Sequence, residues 1–334
     1  MSFQWSFSTD KLFRRCQRQL LFREIAAHPN AKDAWRREAF ILKQLKTLEV
    51  WRGTLIHEGI ERFLVPALKR AGPIPWKAIT NNTLRRAQEQ LEFSERKRYR
   101  EPNIRKGGHD DFCALVPHEN GSGVSAEDFE QVCEGIESAF QRLSLLSDLW
   151  KRFDGGSTWN AEVSVWTKLP DVSVKAQIDL LLKDANNRFT IIDWKSYELG
   201  GDTEARLQTA LYGWALMRSG QHGVRRSQDI TILECQVQEG LLIEHEFSEA
   251  ILCEVDDYIY RSVQNIFAVC RSKKLVEVQL QDFAFTDNPN NCEHCAFRQL
   301  CVETASSALR IESIPKQKSH SHNVLATVSS ATFV

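Results

Sequence analysis

No stretch of this 334-residue chain approaches the ~20 consecutive apolar residues of a membrane-spanning helix; the longest apolar runs are short ones such as residues 63–68. A helical membrane protein is thereby excluded. The N-terminus, MSFQWSFSTDKLFRRC, lacks the apolar core of a secretion signal, so the chain is expected to stay in the cytosol. Positive charge is not in excess either: 43 Lys and Arg face 44 Asp and Glu, a formal net charge of −1. The global basic field of many nucleic-acid binders is missing, and any nucleic-acid contact has to use a local patch. There is no internal repeat. There is no G-x-x-x-x-G-K-[ST] phosphate loop, so ATP-driven unwinding must come from a partner or not occur. With 42% hydrophobic and 26% charged residues, the composition is that of an ordinary globular protein, neither collagen-like nor disordered throughout.

Cysteine is present in an odd number, nine, without a secretion signal. Such cysteines are read as buried thiols, metal ligands or redox groups rather than as a disulfide frame. The length is large for one core, which predicts one big domain with insertions or a core plus a helical lobe. Residues 8–25 carry a helical pattern that Ser8 or Thr9 can cap. A second helical pattern covers 51–69, and 72–160 is mostly helical and polar, interrupted by a loop-like PHENGSGVS at 117–125. From Trp159 the pattern changes. Residues 159–168 alternate around Glu162, 174–183 and 188–195 read as two strands joined at the DANN turn, a helix follows over 203–218, a strand over 229–237 and a long helix over 249–272. This order predicts a mixed α/β core. The expected divisions are 1–70, an N-terminal helical segment; 71–158, a helical insertion; 159–309, the sheet-bearing core with the last cysteines; and 310–334, a Ser/Thr/His-rich disordered tail.

Asp179 lies inside an otherwise apolar strand, and Asp193 and Lys195 lie on one face of the next, because strand side chains alternate. Charge at a buried strand end is expensive unless paired or metal-bound. Two carboxylates beside a lysine suit a hard divalent cation such as Mg2+, with the lysine placed to orient or deprotonate an attacking water. The plain alternative is a strand-end ion pair. Gln208 and Tyr212 are four apart on the following helix and share a face, where they can meet a nucleic acid or simply face solvent. His57 and Glu61 are also four apart, and either a metal-reaching pair or a helix-surface pair fits. Glu162 reads as an isolated carboxylate on an edge-like strand. The run Arg85, Arg86, Arg96, Lys97, Arg98, Arg100, Arg105 and Lys106 can guide a phosphate backbone or be a solvated face balanced by Glu89, Glu92, Glu95 and Glu101. Cys292, Cys295 and Cys301 form C-x2-C-x5-C, a density of thiols that usually binds metal in the cytosol, with three unrelated thiols as the plain alternative. A fourth ligand can come from His294 or Cys16, and four thiolates suit an iron–sulfur cluster or a structural zinc. Cys113, Cys133, Cys235, Cys253 and Cys270 are expected to be plain buried thiols.

Cys16 within FSTDKLFRRCQRQL, His57 within GTLIHEGIE, Asp179 within AQIDLLL, Asp193-Trp194-Lys195 within IIDWKS, Gln208-x-x-x-Tyr212 and the closing Cys292, Cys295 and Cys301 follow one another in that order. In this the chain resembles the PD-(D/E)XK nuclease superfamily. Within it, the chain is similar to the RecB-like branch, which includes the AddB nuclease domain and the CRISPR-adaptation exonucleases that carry an iron–sulfur cluster. The resemblance spans roughly residues 6–65 and 159–303, and residues 72–158 match nothing in it. It implies a restriction-endonuclease-like mixed sheet flanked by helices, with an iron–sulfur staple joining the N- and C-terminal segments. It implies that His57, Asp179, Asp193 and the Trp194 carbonyl hold Mg2+ or Mn2+, with Lys195 as the catalytic lysine and Glu162 as a further acidic position. Gln208 and Tyr212 match the QxxxY motif associated with DNA contact and site architecture. Cys16, Cys292, Cys295 and Cys301 would hold a 4Fe–4S cluster, although the family's usual proline after the first cysteine is Gln17 here. The activity implied is metal-dependent exonucleolytic hydrolysis of single-stranded or frayed DNA ends, with a separate helicase or a recombination or CRISPR-adaptation partner. A non-catalytic iron–sulfur DNA-binding adaptor and a restriction-type endonuclease are the rival readings.

Overall fold

The computed structural model describes residues 3–70, 72–153, 157–170, 172–196, 202–270 and 279–305. The chain order begins with β1 (Phe3–Trp5), α1 (Phe7–Arg15), α2 (Gln17–Leu20), a π-helical turn (Leu21–Ala26), α3 (Ala34–Leu42) and α4 (Leu48–Gly59). A second π-helical turn (Ile60–Leu64) leads to α5 (Val65–Leu68), α6 (Trp76–Glu95), α7 (Val116–Asn120), α8 (Ala126–Leu145) and α9 (Ser147–Trp150). Then come β2 (Thr158–Lys168), β3 (Val172–Lys183), β4 (Phe189–Lys195), α10 (Asp202–Ser219), β5 (Ile230–Gln236) and β6 (Leu241–His245). The described chain closes with α11 (Glu249–Cys270), α12 (Asn290–Glu293) and α13 (Arg298–Ala305). The tail expected over 310–334 lies outside the described residues, as does Cys270's side chain.

The chain divides into two compact units. The first comprises residues 1–44, 166–176 and 254–334. Its strand β1 pairs in parallel with the start of β3, Phe3 with Val172 and Trp5 with Val174. The helix expected over 8–25 starts earlier, because Ser6 rather than Ser8 or Thr9 is the cap: its hydroxyl accepts from Thr9 N at 3.2 Å. It also breaks at Cys16, whose backbone is extended (φ −167°, ψ 115°). Asp10 is buried on α1 and would be costly alone. It accepts from Arg14 Nε at 2.9 Å and from the Tyr258 and Ser262 hydroxyls, while Ser262 also takes the Trp5 indole N–H at 2.8 Å.

The second unit comprises residues 45–165 and 177–253. Its sheet is mixed: β3 pairs antiparallel with β4, β4 parallel with β5, and β5 antiparallel with β6. The β3–β4 turn closes because Asp184 Oδ1 accepts from Asn186 N and Arg188 N, each at 2.8 Å, an arrangement that suits Asp in a turn. Strand β4 is buried along its whole length, which is why FTII reads as a continuous apolar run instead of alternating. On one side lie α4, α6 and α8, sharing a core of Trp51, Leu55, Ile136, Phe140, Ile192 and Trp194. The helical stretch read as an insertion thus helps to fill the same core as the sheet. Full burial of each such side chain contributes about 1.5–3 kcal/mol. On the other side α10 covers β4 and β5. The expected loop at 117–125 is in part helical (α7). Ser125 begins α8 through a reciprocal capping box with Asp128.

Candidate functional site

Helix α4 carries His57 and is pinned on both sides of it. Thr47 caps its start, accepting from Val50 N at 3.3 Å. Glu58 Oε2 accepts from Arg86 Nε (3.2 Å), Arg86 Nη2 (3.1 Å) and Gln90 Nε2 (2.9 Å), and Gln90 Oε1 takes the Trp51 indole N–H at 2.8 Å. Arg86, one of the arginines of the basic run, is therefore spent inside the fold. Arg100 with Glu119, Arg85 with Glu89 and Arg98 with Asp111 are likewise paired with acids. The balanced-face reading of that run is the one these contacts fit.

Three ligand atoms, one each from His57, Glu162 and Asp179, lie within 4.8 Å of one another. Asp179 sits where the β3–β4 ladder ends: the pairing stops at Leu180 with Ile192, and Asp179 Oδ2 then accepts from Trp194 N at 2.9 Å. Burial first and the Asp193 charge second push the Asp179 carboxyl up to about 7. Glu162 is raised too, by burial and then by Asp179. Burial lowers the His57 pKa, so its 3.8 Å approach to Asp179 is that of a neutral imidazole. Glu162 is more than an isolated edge carboxylate. Its φ is +51°, a left-handed conformation unusual for a non-glycine residue inside a strand. Strain of this kind concentrates at functional sites.

Asp193 and Lys195 project from β4 toward α10, where Gln208 and Tyr212 meet them. Tyr212 OH donates to Asp193 Oδ1 (3.1 Å), Lys195 Nζ lies 2.5 Å from Asp193 Oδ2 and donates to Gln208 Oε1 (3.0 Å), and Gln208 Nε2 donates to Tyr212 Oη (2.8 Å). The four side chains close a ring. Tyr212 is 6% exposed. Tyr212 therefore does not face solvent, while Gln208 is half-buried. Burial holds the Tyr212 phenol well above its usual pKa, so it stays a neutral donor. Glu61 does not join His57 in the three-ligand group.

One buried acid was passed over by the sequence reading. Glu234 is 4% exposed and is the β5 partner of Asp193. It accepts from Gln236 Nε2 and His245 Nε2, both at 3.0 Å. The signal was present: a carboxylate in the apolar strand ITILECQ, the same anomaly that marks Asp179.

The residues of this site fit a divalent cation. A neutral imidazole and two carboxylates, raised by burial first and by neighbouring acids second, converge here. Asp193 Oδ2 is buried with no hydrogen bond of acceptable geometry, only the Lys195 ammonium beside it. This is the chemistry of carboxylate-based metal sites.

In the first unit, Cys16 and the 292–301 trio come together. Cys292, Cys295 and Cys16 all raise the Cys301 pKa, though burial is the larger cause, and Cys301 is pushed to about 11 despite the opposing charge of Arg18. None of the four is in a disulfide. The helix break at Cys16 is zipped to the approach to the trio: Arg18 N donates to Ala284 O (3.2 Å), Ala284 N to Gln17 Oε1 (3.1 Å), and Asn291 Nδ2 to Arg15 O (3.1 Å). Gln17 makes one of these bonds through its side-chain oxygen. Their donor chemistry is that of a soft-metal site, but among the described residues the ligand atoms that gather within 4.8 Å of one another are those of His57, Glu162 and Asp179, not these sulfurs. Of the cysteines expected to be plain buried thiols, Cys113 and Cys235 are buried, Cys133 is half-buried and Cys253 is exposed.

The site thus combines Asp179, inside β3, with Asp193 and Lys195 near the end of the adjacent strand β4. The family model of the PD-(D/E)XK nuclease superfamily matches residues 4–302, and the chain belongs to that superfamily. No curated protein matches the sequence. A solved structure titled "Crystal structure of SSO0001" is similar at 12% identity, covering 77% of this chain and 96% of that one with a TM-score of 0.28, too distant to carry an argument. No helix among the described residues is long and apolar enough to cross a membrane.

Proposed function

We propose that the protein is a metal-dependent DNA exonuclease that hydrolyses phosphodiester bonds at single-stranded or frayed ends, in DNA repair, recombination or defence against foreign DNA. The observation that carries this is the closed ring of Asp193, Lys195, Gln208 and Tyr212 beside the His57–Glu162–Asp179 group. His57, Asp179, Asp193 and the Trp194 carbonyl would hold Mg2+ or Mn2+, with Glu162 as a further ligand. An imidazole among oxygen donors favours Mn2+ of the two. The cation supplies Lewis-acid polarisation of a phosphate oxygen. Lys195 orients the attacking water and offsets negative charge that grows on the phosphoryl oxygens. Gln208 and Tyr212 fix the Lys195 ammonium and the Asp193 carboxylate in place, and this replaces direct DNA contact as Tyr212's role.

Cys16, Cys292, Cys295 and Cys301 would hold a 4Fe–4S cluster, with structural zinc as the outcome to be distinguished by metal analysis. A helicase or a recombination or CRISPR-adaptation partner would supply unwound ends. The decisive experiment incubates anaerobically purified protein with end-labelled linear and with circular single-stranded DNA, with Mn2+ or Mg2+. Progressive shortening of the linear strand with the circle intact supports the reading. Cutting of the circle replaces it with an endonuclease, and binding without cleavage replaces it with an adaptor.

A further inference from the structure

Glu162 reaches the His57–Asp179 group from β2, at a φ of +51°. The structure also shows what holds its side chain. Gln177 lies on β3 two residues before Asp179, so the two side chains share a face of that strand. Gln177 Nε2 donates to Glu162 Oε2 at 3.1 Å, and Gln177 Oε1 accepts from Ser164 Oγ at 2.6 Å. Ser164 stands two residues beyond Glu162 on β2, which pairs with β3. Ser164, Gln177 and the three ligand residues all belong to the second unit. Chemistry fixes the direction of this relay. A carboxylate that takes a cation is ionised and only accepts hydrogen bonds. Gln177 must therefore turn its NH2 group to Glu162 and its carbonyl to Ser164, whose hydroxyl donates. A surface pair of Ser164 and Gln177 would be complete without a third member. The amide instead reaches on to Glu162, the one carboxylate of β2. Glutamate is among the side chains that lose most rotamer freedom when fixed, so a carboxylate already held in place binds its partner at lower cost.

We propose that Gln177 is a positioning residue of the cation site: with its amide oriented by Ser164, it holds the Glu162 carboxylate toward His57 and Asp179. The inference rests on the reading that this group binds a divalent cation, and it adds two polar residues outside the ligand set. Groups that hydrogen-bond to a metal ligand typically account for about 10–100-fold of metal affinity.

The test titrates the full-length protein with Mn2+ by calorimetry, as wild type, Gln177→Met, Ser164→Ala and Ser164→Thr, and measures Tm of each without metal. Gln177→Met keeps the length of the side chain and removes its donor. Its Mn2+ affinity is expected to fall about tenfold or more, with Tm of the metal-free protein unchanged. Ser164→Ala leaves the amide unoriented and should weaken Mn2+ binding by a smaller factor, which Ser164→Thr restores by returning the hydroxyl. The same Gln177→Met change is then made in a Glu162→Ala background. There it should have no further effect on Mn2+ affinity, because the group it acts through is gone. Wild-type Mn2+ affinity in Gln177→Met overturns the proposal, and so does a loss that is equally large in the Glu162→Ala background. If Gln177→Met does not fold, wild-type affinity in Ser164→Ala overturns it instead. A wild-type protein that binds no Mn2+ fails the cation reading itself, whatever the variants do.

Discussion

Single side chains divide the proposed active site into those that carry charge and those that hold it in place. Asp193→Ala and Lys195→Ala should each lower cleavage by on the order of 10²-fold or more with the circular dichroism of the fold unchanged; near wild-type turnover in either would remove that residue from the chemistry. Tyr212→Phe keeps the ring's volume but leaves Asp193 Oδ1 without its donor and Gln208 Nε2 without its acceptor. A buried group left unpaired costs about 1–3 kcal/mol, so kcat should drop by about tenfold with KM nearly unchanged. A reduced affinity for DNA at constant kcat would return Tyr212 to a binding role. Asp179 gives a pH signature. Its folded pKa, about 7, lies above the ordinary carboxylate value, so the folded protein binds this proton more tightly than the unfolded chain does. Its contribution to the stability of the metal-free protein is present at low pH and is lost as pH rises through about 7. A cation replaces that proton, so the rise in Tm on adding Mn2+ should be larger at pH 8 than at pH 6. An equal rise at both would show that Asp179 is no ligand.

Among the elements, α4 has little room at Gly59. A Cβ on Gly59 would sit 2.4 Å from Thr83 Oγ1 on α6 and 2.6 Å from Phe140 Cζ on α8. This glycine is required by close approach, since its backbone is ordinary helix (φ −65°, ψ −40°). Gly59→Ala should lower stability by about 1–3 kcal/mol, read by urea unfolding. Because the same helix presents His57 two residues earlier, Mn2+ affinity should fall with it. Stability lost at unchanged Mn2+ affinity would mean that α4 does not set the position of His57. Strand β2 shows the converse case, where a strained residue, Glu162, lies within an extended strand and its carboxylate reaches the ligand group. Glu162→Gln should weaken Mn2+ binding measurably by calorimetry while leaving Tm of the metal-free protein unchanged or higher, since a repelling carboxylate is removed.

At the scale of the whole molecule, the proposed cluster would join Cys16 to the distant Cys292, Cys295 and Cys301. A link between such distant points removes much of the entropy of the unfolded chain, and metal–ligand binding adds to folding directly. Cys16→Ser should therefore lose the brown colour and iron of anaerobically prepared protein and lower its solubility, whereas Cys253→Ser, at an exposed position, should change neither. Full iron content in Cys16→Ser would move the fourth ligand to His294 or another thiol. A colourless wild type with one zinc per chain would replace the cluster with zinc.

Much of this was legible in one dimension. Apolar runs, the DANN turn and the period-two alternation placed β3, β4 and β5 to within a few residues, because strands buried on both faces write their burial directly into composition. Asp179, Asp193 and Lys195 stood out because charge inside such runs needs a reason. The short β1 and β6 were missed, since three and five residues carry too little pattern. The helix break at Cys16 was hidden because apolar periodicity continues across it. Tertiary structure alone decided that Gln208 and Tyr212 turn inward to close a ring with β4 and that Glu162 joins His57 and Asp179. Each depends on which distant segment lies opposite a side chain, and local periodicity fixes only the face a residue occupies, never what that face meets.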